Sequence, residues 1–293
     1  MMNSPFLFGA LLILCSEVFL VLSGMVIKQL SGELPTEMIV LFRNLFGLPL
    51  FLPWLIRNGI DALKTTKLRF HLMRAGVGVT AMTCLFYSWG HLPLAQAALL
   101  KQTAPFFMPI IALLWLGERI PLTVKLAIIV GFCGVALINP PEEGVINFAV
   151  IIALIGACLG ALAKVTIRRM RDTESPQRIV FYFAFFSTIF ASVPAALNWL
   201  TPSFEQLLWL GVLAATSTVA QLLLSKAYGM APAGQLAPYT YGSVAFAALF
   251  GWLFWDEILA YNSWLGIALV CSAGIVAMLG KKSGTAVAVK SNG

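Results

Sequence analysis

The chain has 293 residues, of which 60% are hydrophobic and only 11% charged, and its mean hydropathy is +0.90. That balance excludes an ordinary soluble domain, where about a quarter of residues carry charge. The formal net charge of +7 would suit a polyanionic partner, but the location of the charges argues against nucleic acid.

The apolar runs are continuous, so length rather than periodicity identifies the elements. Runs near 20 residues match a hydrocarbon core of about 30 Å at about 1.5 Å rise per residue. Ten are predicted, at 5–28, 36–56, 70–91, 93–116, 121–139, 147–166, 178–197, 204–228, 231–255 and 261–280. His91, Leu92 and Pro93 are nearly all that separates the third from the fourth, and Gly117–Pro121 joins the fourth to the fifth. The first run lacks a charged leader segment and contains Glu17, so it reads as part of the fold and not as a signal peptide. The polar stretch 281–293 is expected to be a flexible tail. The fold class is therefore an all-α polytopic membrane protein, with no segment long enough for a soluble core.

With the N-terminus in the cytoplasm, the loops on that side carry Arg57, Lys64, Lys67, Arg69, Arg168, Arg169, Arg171 and Arg178. The opposite loops hold Lys28 at one boundary and otherwise Glu33, Glu37, Glu142, Glu143, Asp256 and Glu257. This positive-inside pattern predicts both termini in the cytoplasm, most naturally at a bacterial inner membrane. The five cysteines lie inside apolar runs without a CxxC pair and read as buried thiols. His71 and His91 sit at run ends and read as interfacial, so no metal or other cofactor is expected.

Residues 87–118 reappear in weakened form 139 positions later, at 226–257, pairing Gly90 with Gly229, Pro93 with Pro232 and Glu118 with Glu257. A second echo, offset by 140, pairs Phe8, Leu22 and Ile27 with Phe148, Leu162 and Ile167. Two repeats follow, residues 1–140 and 147–280, each with five predicted spans. Five is odd, so the second repeat enters from the opposite face, as an inverted-topology pair. Two such bundles can exchange conformations and open a central site alternately to each side. Duplication without alternating access is the plainer alternative.

The arginine in IVLFRNLFG and the stretch AALLKQTAPFFMPIIALLWLGERIPLTVKLAIIVGFCGVALIN make residues 5–280 resemble the EamA family of the drug/metabolite transporter superfamily. Pro105, Gly117–Glu118–Arg119, Gly131 and Gly134 match its typical repeat in the first half. The second half keeps Glu257 and Gly274, but has Val244 for the proline and Asp256 for the glycine. The resemblance implies a secondary carrier of a small metabolite, more often an exporter. It is nearly silent on substrate.

Charges inside apolar runs mark the candidate site. Each costs about 2.5–3.5 kcal/mol at a helix centre on insertion scales, so it needs a partner or a wet cavity. Glu17 lies mid-run, and Arg43 and Lys101 lie about two turns in from the outer ends of theirs. Their repeat counterparts are uncharged: Ala157, Phe183 and Thr240. This asymmetry favours function over shared scaffolding. Two readings stay open: a structural pair between Glu17 and one cation, or a site that receives a substrate carboxylate or phosphate on Arg43 and Lys101. In the second, Glu17 binds a substrate amine or carries a coupling proton, and a zwitterion satisfies both signs.

Asn44, Gln102, Tyr239 and Tyr241 are further candidate lining groups, since buried amides and hydroxyls need partners. Tyr87 and Trp89 read instead as an aromatic belt, and Arg74, Lys164 and Lys226 as snorkelling cations near cytoplasmic ends. Gly156 and Gly160 form a close-approach motif, and Pro105, Pro109 and Pro238 break the backbone ladder. Glu118 reads as structural, as a cap or partner of Arg119. There is no P-loop, H-E-x-x-H or nucleophile elbow, so an enzyme is not predicted. The expected partners are a small-molecule substrate and membrane lipids. The expected function is export of an amino acid or related zwitterionic or anionic metabolite, proton-coupled or by exchange. Import of a vitamin or nucleoside-like metabolite, and flipping of a lipid-linked substrate, are the alternatives.

Overall fold

A computed structural model describes residues 4–117, 120–138, 147–170, 173–230 and 236–290. Helix α1 spans Ser4–Leu30. The second predicted run forms α2 (Thr36–Gly47), a 3₁₀ turn (Leu48–Phe51) and α3 (Leu52–Asn58). Pro49 and Pro53 fall in the first positions of the turn and of α3. A proline lacks the N–H that would continue the ladder, so the rod breaks here without losing its direction. Helix α4 (Leu68–His91) follows.

The fourth predicted run is also broken, into α5 (Leu94–Lys101) and α6 (Ala104–Leu116). Pro105 cannot donate to the Lys101 carbonyl, which ends α5 at Lys101, and the Thr103 hydroxyl donates to the Leu100 carbonyl at 2.6 Å within the break. Then come α7 (Leu122–Ile138), α8 (Phe148–Met170), α9 (Pro176–Leu197) and α10 (Phe204–Met230). A 3₁₀ turn at Ala237–Tyr241 leads into α11 (Gly242–Trp255), and α12 (Tyr261–Lys290) runs past residue 280, the expected end of the last run. Glu118, Arg119 and Gln235 lie outside the described residues.

Among the described residues, six helical stretches are long and apolar enough to cross a membrane, and α7 and Tyr261–Ala277 are shorter apolar helices. The outward faces are greasy: Ile56, Leu114, Leu197 and Phe204 are 78–81% exposed. Water would not tolerate such a surface, whereas lipid tails match it. The chain is an all-α polytopic integral membrane protein.

Packing is dominated by pairs that cross between the two halves. Helix α1 lies along α10 and α4 along α8, while α2 packs on α9 and α7 on α12. Under the 139–140 residue offset α1 corresponds to α8 and α4 to α10, so the first two pairs exchange into one another. The two broken elements meet at equivalent positions. Gln102 Nε2 donates to the Thr240 carbonyl at 2.7 Å, and the Tyr241 hydroxyl approaches the Gln102 carbonyl at 3.4 Å. Helices α7 and α12 touch backbone to backbone: a Cβ on Gly134 would lie 2.8 Å from the Gly266 carbonyl oxygen. Only glycine permits that approach.

Two polar ties fasten connections between the halves. In one, Glu174, just beyond α8, accepts from Thr65 Oγ1 at 2.6 Å and from Arg178 at 3.0 Å. Arg178 Nε and the Tyr182 hydroxyl donate to the Ala62 and Leu63 carbonyls, both at 2.7 Å. His71, expected at the interface, is instead buried beside this carboxylate, with Nε2 3.5 Å away. Burial works against the Glu174 charge, but hydrogen bonds from Thr65 and Arg178 and the Arg178 charge outweigh it and hold its pKa below the ordinary value.

The other tie joins Lys28, at the end of α1, to Glu257, just beyond α11. The second Glu257 oxygen accepts the Leu94 N–H at the start of α5 at 2.8 Å, and Lys28 also donates to the Leu92 carbonyl at 3.1 Å. One carboxylate thus caps a helix and neutralises a cation at once.

Candidate functional site

A cavity of about 370 Å³ lies between α1, α2, α4, α5, α8, α9 and α10. Glu17, Arg43 and Lys101 all line it. Glu17 reaches it because mid-α1 faces the gap between α4 and α10, with Ser16 anchored to the Ala220 carbonyl at 2.7 Å. Lys101 reaches it as the last residue of the half-helix α5. Arg43 comes from α2, and its Nη1 donates to Asn44 Oδ1 at 3.1 Å.

The rungs of α4 give the depth of each group. Asn44 Nδ2 contacts Met82 Sδ at 3.7 Å, which sets Arg43 at the level of Met82. Gly24 is packed on the Trp89 ring, and four residues further on Lys28 reaches Leu92, so α1 and α4 run the same way. Seven residues before Gly24, Glu17 is therefore also near Met82. The Glu17 carboxylate is 4% exposed, and its Oε2 has no hydrogen-bond partner. Ser243 lies within hydrogen-bonding reach of Glu17, and Lys101 and Lys164 are within electrostatic reach. None of these cations is close enough for an ion pair.

Four other expected lining residues are placed behind the cavity wall. Asn44 is buried, donates to the Val40 carbonyl at 2.8 Å and orients Arg43. Gln102 bridges to Thr240 and to Ser243 Oγ at 3.0 Å, and so backs the serine beside Glu17. Tyr241 is buried in the crossing of the two breaks. Tyr239 packs edge-on to Phe6 with centroids 6.1 Å apart, in an apolar cluster with Ala10 and Leu236. Asn44, Gln102 and Tyr241 each have a backbone partner for the polar group, and Tyr239 has a ring partner for its aromatic edge.

Three residues expected elsewhere line the cavity. Trp89, expected in an aromatic belt, is 4% exposed and forms part of its wall over Gly24. Arg74 and Lys164, expected to snorkel, both face inward. Arg74 lies over the Phe183 ring at 4.1 Å, and its Nε and Nη1 are buried with no hydrogen-bond partner. A spacing signal was present: Arg74, Gly78, Ala81, Leu85 and Trp89 recur every three or four residues, as one helix face does. Tyr87 stays off the wall, stacked on His91 at 3.9 Å. Gly156 packs on Cys84 and Ala81, but Gly160 meets no neighbour and borders the cavity.

Known proteins share this architecture. A solved crystal structure 15% identical in sequence superposes with a TM-score of 0.64 over 95% of this chain and 98% of its own, which bears on fold alone. The pseudopaline exporter of Pseudomonas aeruginosa is 33% identical over 260 residues, 85% of this chain and 88% of that protein. The riboflavin transporter of Brucella anthropi is 28% identical over 255 residues, 84% and 88% of the two chains. The EamA-like transporter family model matches twice in succession, at residues 7–139 and 147–279. The two matches fall on the two halves that share the cavity, and the chain belongs to the EamA-like transporter family.

Proposed function

We propose that this secondary transporter exports an amino acid or related zwitterionic or anionic metabolite, bound in the central cavity by Arg43, Lys101 and Glu17. The observation that carries the reading is the convergence of these three charges on the wall of one cavity, with no ion pair among them. Arg43 offers a planar fork to a carboxylate, Lys101 a point charge, and the free Glu17 oxygen accepts an ammonium. Asn44 and Gln102 position this set, while Tyr239 and Tyr241 stabilise the break beside it. Export is favoured by the 33% identity to an exporter.

The mechanism is alternating access between two five-helix repeats of inverted topology, ten spans in all, with both termini cytoplasmic at a bacterial inner membrane. Support comes from the two family matches, the exchange of helix pairs under the offset, and the crossing of the breaks at Gln102 and Tyr241. Glu17 is the candidate proton carrier. Once protonated it releases the ammonium, which couples substrate and proton in exchange.

Import of a vitamin-like metabolite is the second reading, favoured by relatives named as riboflavin transporters. The test is flux in vesicles reconstituted with the purified protein and loaded with mixed metabolites. Outward movement of zwitterions driven by an inward proton gradient is expected, with the gradient dependence lost in Glu17→Gln. Riboflavin movement alone would favour the second reading. Translocation of a lipid-linked sugar without metabolite flux would make the protein a flippase.

A further inference from the structure

The cavity wall carries four cationic side chains, Arg43, Arg74, Lys101 and Lys164, against one carboxylate, Glu17, a formal excess of three positive charges. A simple zwitterion leaves that excess unanswered. No ion pair among the described residues joins any of the four cations to a protein carboxylate. Two buried donors of Arg74 and one buried oxygen of Glu17 have no partner at all. Groups held this way in a cavity wall are satisfied by cavity water or by a ligand of opposite charge, and only the ligand also answers the charge excess.

The charges are arranged in two tiers. Glu17 and Arg43 form one, at the level of Met82, and Lys101 lies within electrostatic reach of Glu17. Arg74 is eight residues away along α4, about 12 Å by helix rise. Gly156 packs on Ala81 and Cys84, whereas Glu174, beyond the end of α8, meets His71. Helix α8 therefore runs antiparallel to α4, and Lys164, eight residues past Gly156, lies at the level of Arg74. Lys164 also stays within electrostatic reach of Glu17, so its chain spans the space between the tiers. The volume of about 370 Å³ accommodates a ligand of metabolite size across both.

We infer that the cavity takes an elongated polycarboxylate with one basic nitrogen: one anionic group on Arg43 and Lys101, a second on Arg74 and Lys164, and the nitrogen against Glu17. This rests on the carrier reading above and narrows its substrate class. Arg74 and Lys164 are then specificity residues. They reward a second negative charge that an ordinary amino acid does not bring to that depth.

The test is thermal stabilisation and calorimetric binding with the purified protein at fixed ionic strength. The probes are glutamyl-glutamate, its N-acetyl derivative, alanyl-alanine and inorganic phosphate. Glutamyl-glutamate, with three carboxylates and one ammonium, should bind at least about tenfold more tightly than alanyl-alanine, as expected for one added charge-assisted contact. Acetylation should cost about tenfold by removing the cation that faces Glu17. Arg74→Gln and Lys164→Gln should each collapse the preference between the two dipeptides, and Arg74→Lys should retain part of it.

Equal binding of the two dipeptides would overturn the second tier while leaving the zwitterion reading intact. Phosphate matching glutamyl-glutamate would reduce the tier to a simple anion site and overturn the proposal. Binding of neither dipeptide would overturn the polycarboxylate proposal, whereas the carrier reading falls only with the loss of metabolite flux in vesicles.

Discussion

Replacing Glu257 by alanine removes two bonds with one truncation: the ion pair with Lys28 and the cap on the Leu94 N–H. Both partners are mostly enclosed, with side-chain exposures of 16% for Lys28 and 15% for Glu257. Breaking a fully buried pair costs about 3–5 kcal/mol, and the residual exposure here brings that down to about 2. Losing a helix cap adds about 1 kcal/mol, for a total near 3. At about 2–4 °C per kcal/mol for a chain somewhat smaller than this one, the melting temperature should fall by on the order of 6–12 °C. Lys28→Ala should cost less, because the carboxylate keeps the Leu94 N–H. The double variant should fall short of the sum by about 1 kcal/mol or more, the signature of a direct coupling. Unfolding of the purified protein, followed by intrinsic tryptophan fluorescence across this four-protein cycle, makes the measurement. A shift under 1 °C in Glu257→Ala, or strict additivity in the double variant, would refute the tie as a fastening of α1, α5 and α11.

Gly24→Ala drives a methyl into the Trp89 ring and should cost about 1–3 kcal/mol by overpacking, recovered in Gly24→Ala with Trp89→Leu; an unchanged melting temperature in the single variant counts against this wall. The Glu174 carboxyl has a lowered pKa in the folded state, so its stabilisation is complete above its ordinary value near 4.5 and is lost as pH falls through the lowered one. The gap in melting temperature between wild type and Glu174→Gln should therefore be constant above about pH 5.5 and shrink below about pH 4.5. A gap that widens on acidification would contradict the assignment.

The all-α polytopic class and the family were legible because both show in long apolar runs and in prolines and glycines at fixed offsets. The convergence of Glu17, Arg43 and Lys101 in one cavity was legible for a related reason: a charge with no nearby tail to water has few places to go. Arg74 and Lys164 were harder. Each lies about two turns from a helix end, where snorkelling is an equally cheap solution, and the three-to-four-residue spacing that puts Arg74 on one face with Trp89 does not by itself say that this face is inward. Gln102 and Tyr241 were legible as polar but not as partners. Their roles depend on a long-range crossing of two backbone breaks, which neither run reveals alone. The Lys28–Glu257 pair was hidden in the same way, by 229 residues of separation.

The most direct test of the central claim is substrate flux in reconstituted vesicles for Arg43→Ala and Lys101→Ala, each first shown to fold by its melting profile. With the cavity charges binding substrate, both variants stay folded and lose at least about tenfold in transport, the cost of one charge-assisted contact of about 1.5 kcal/mol or more. Wild-type flux in both would contradict the account, because the charges would then belong to the scaffold and the substrate would lie elsewhere.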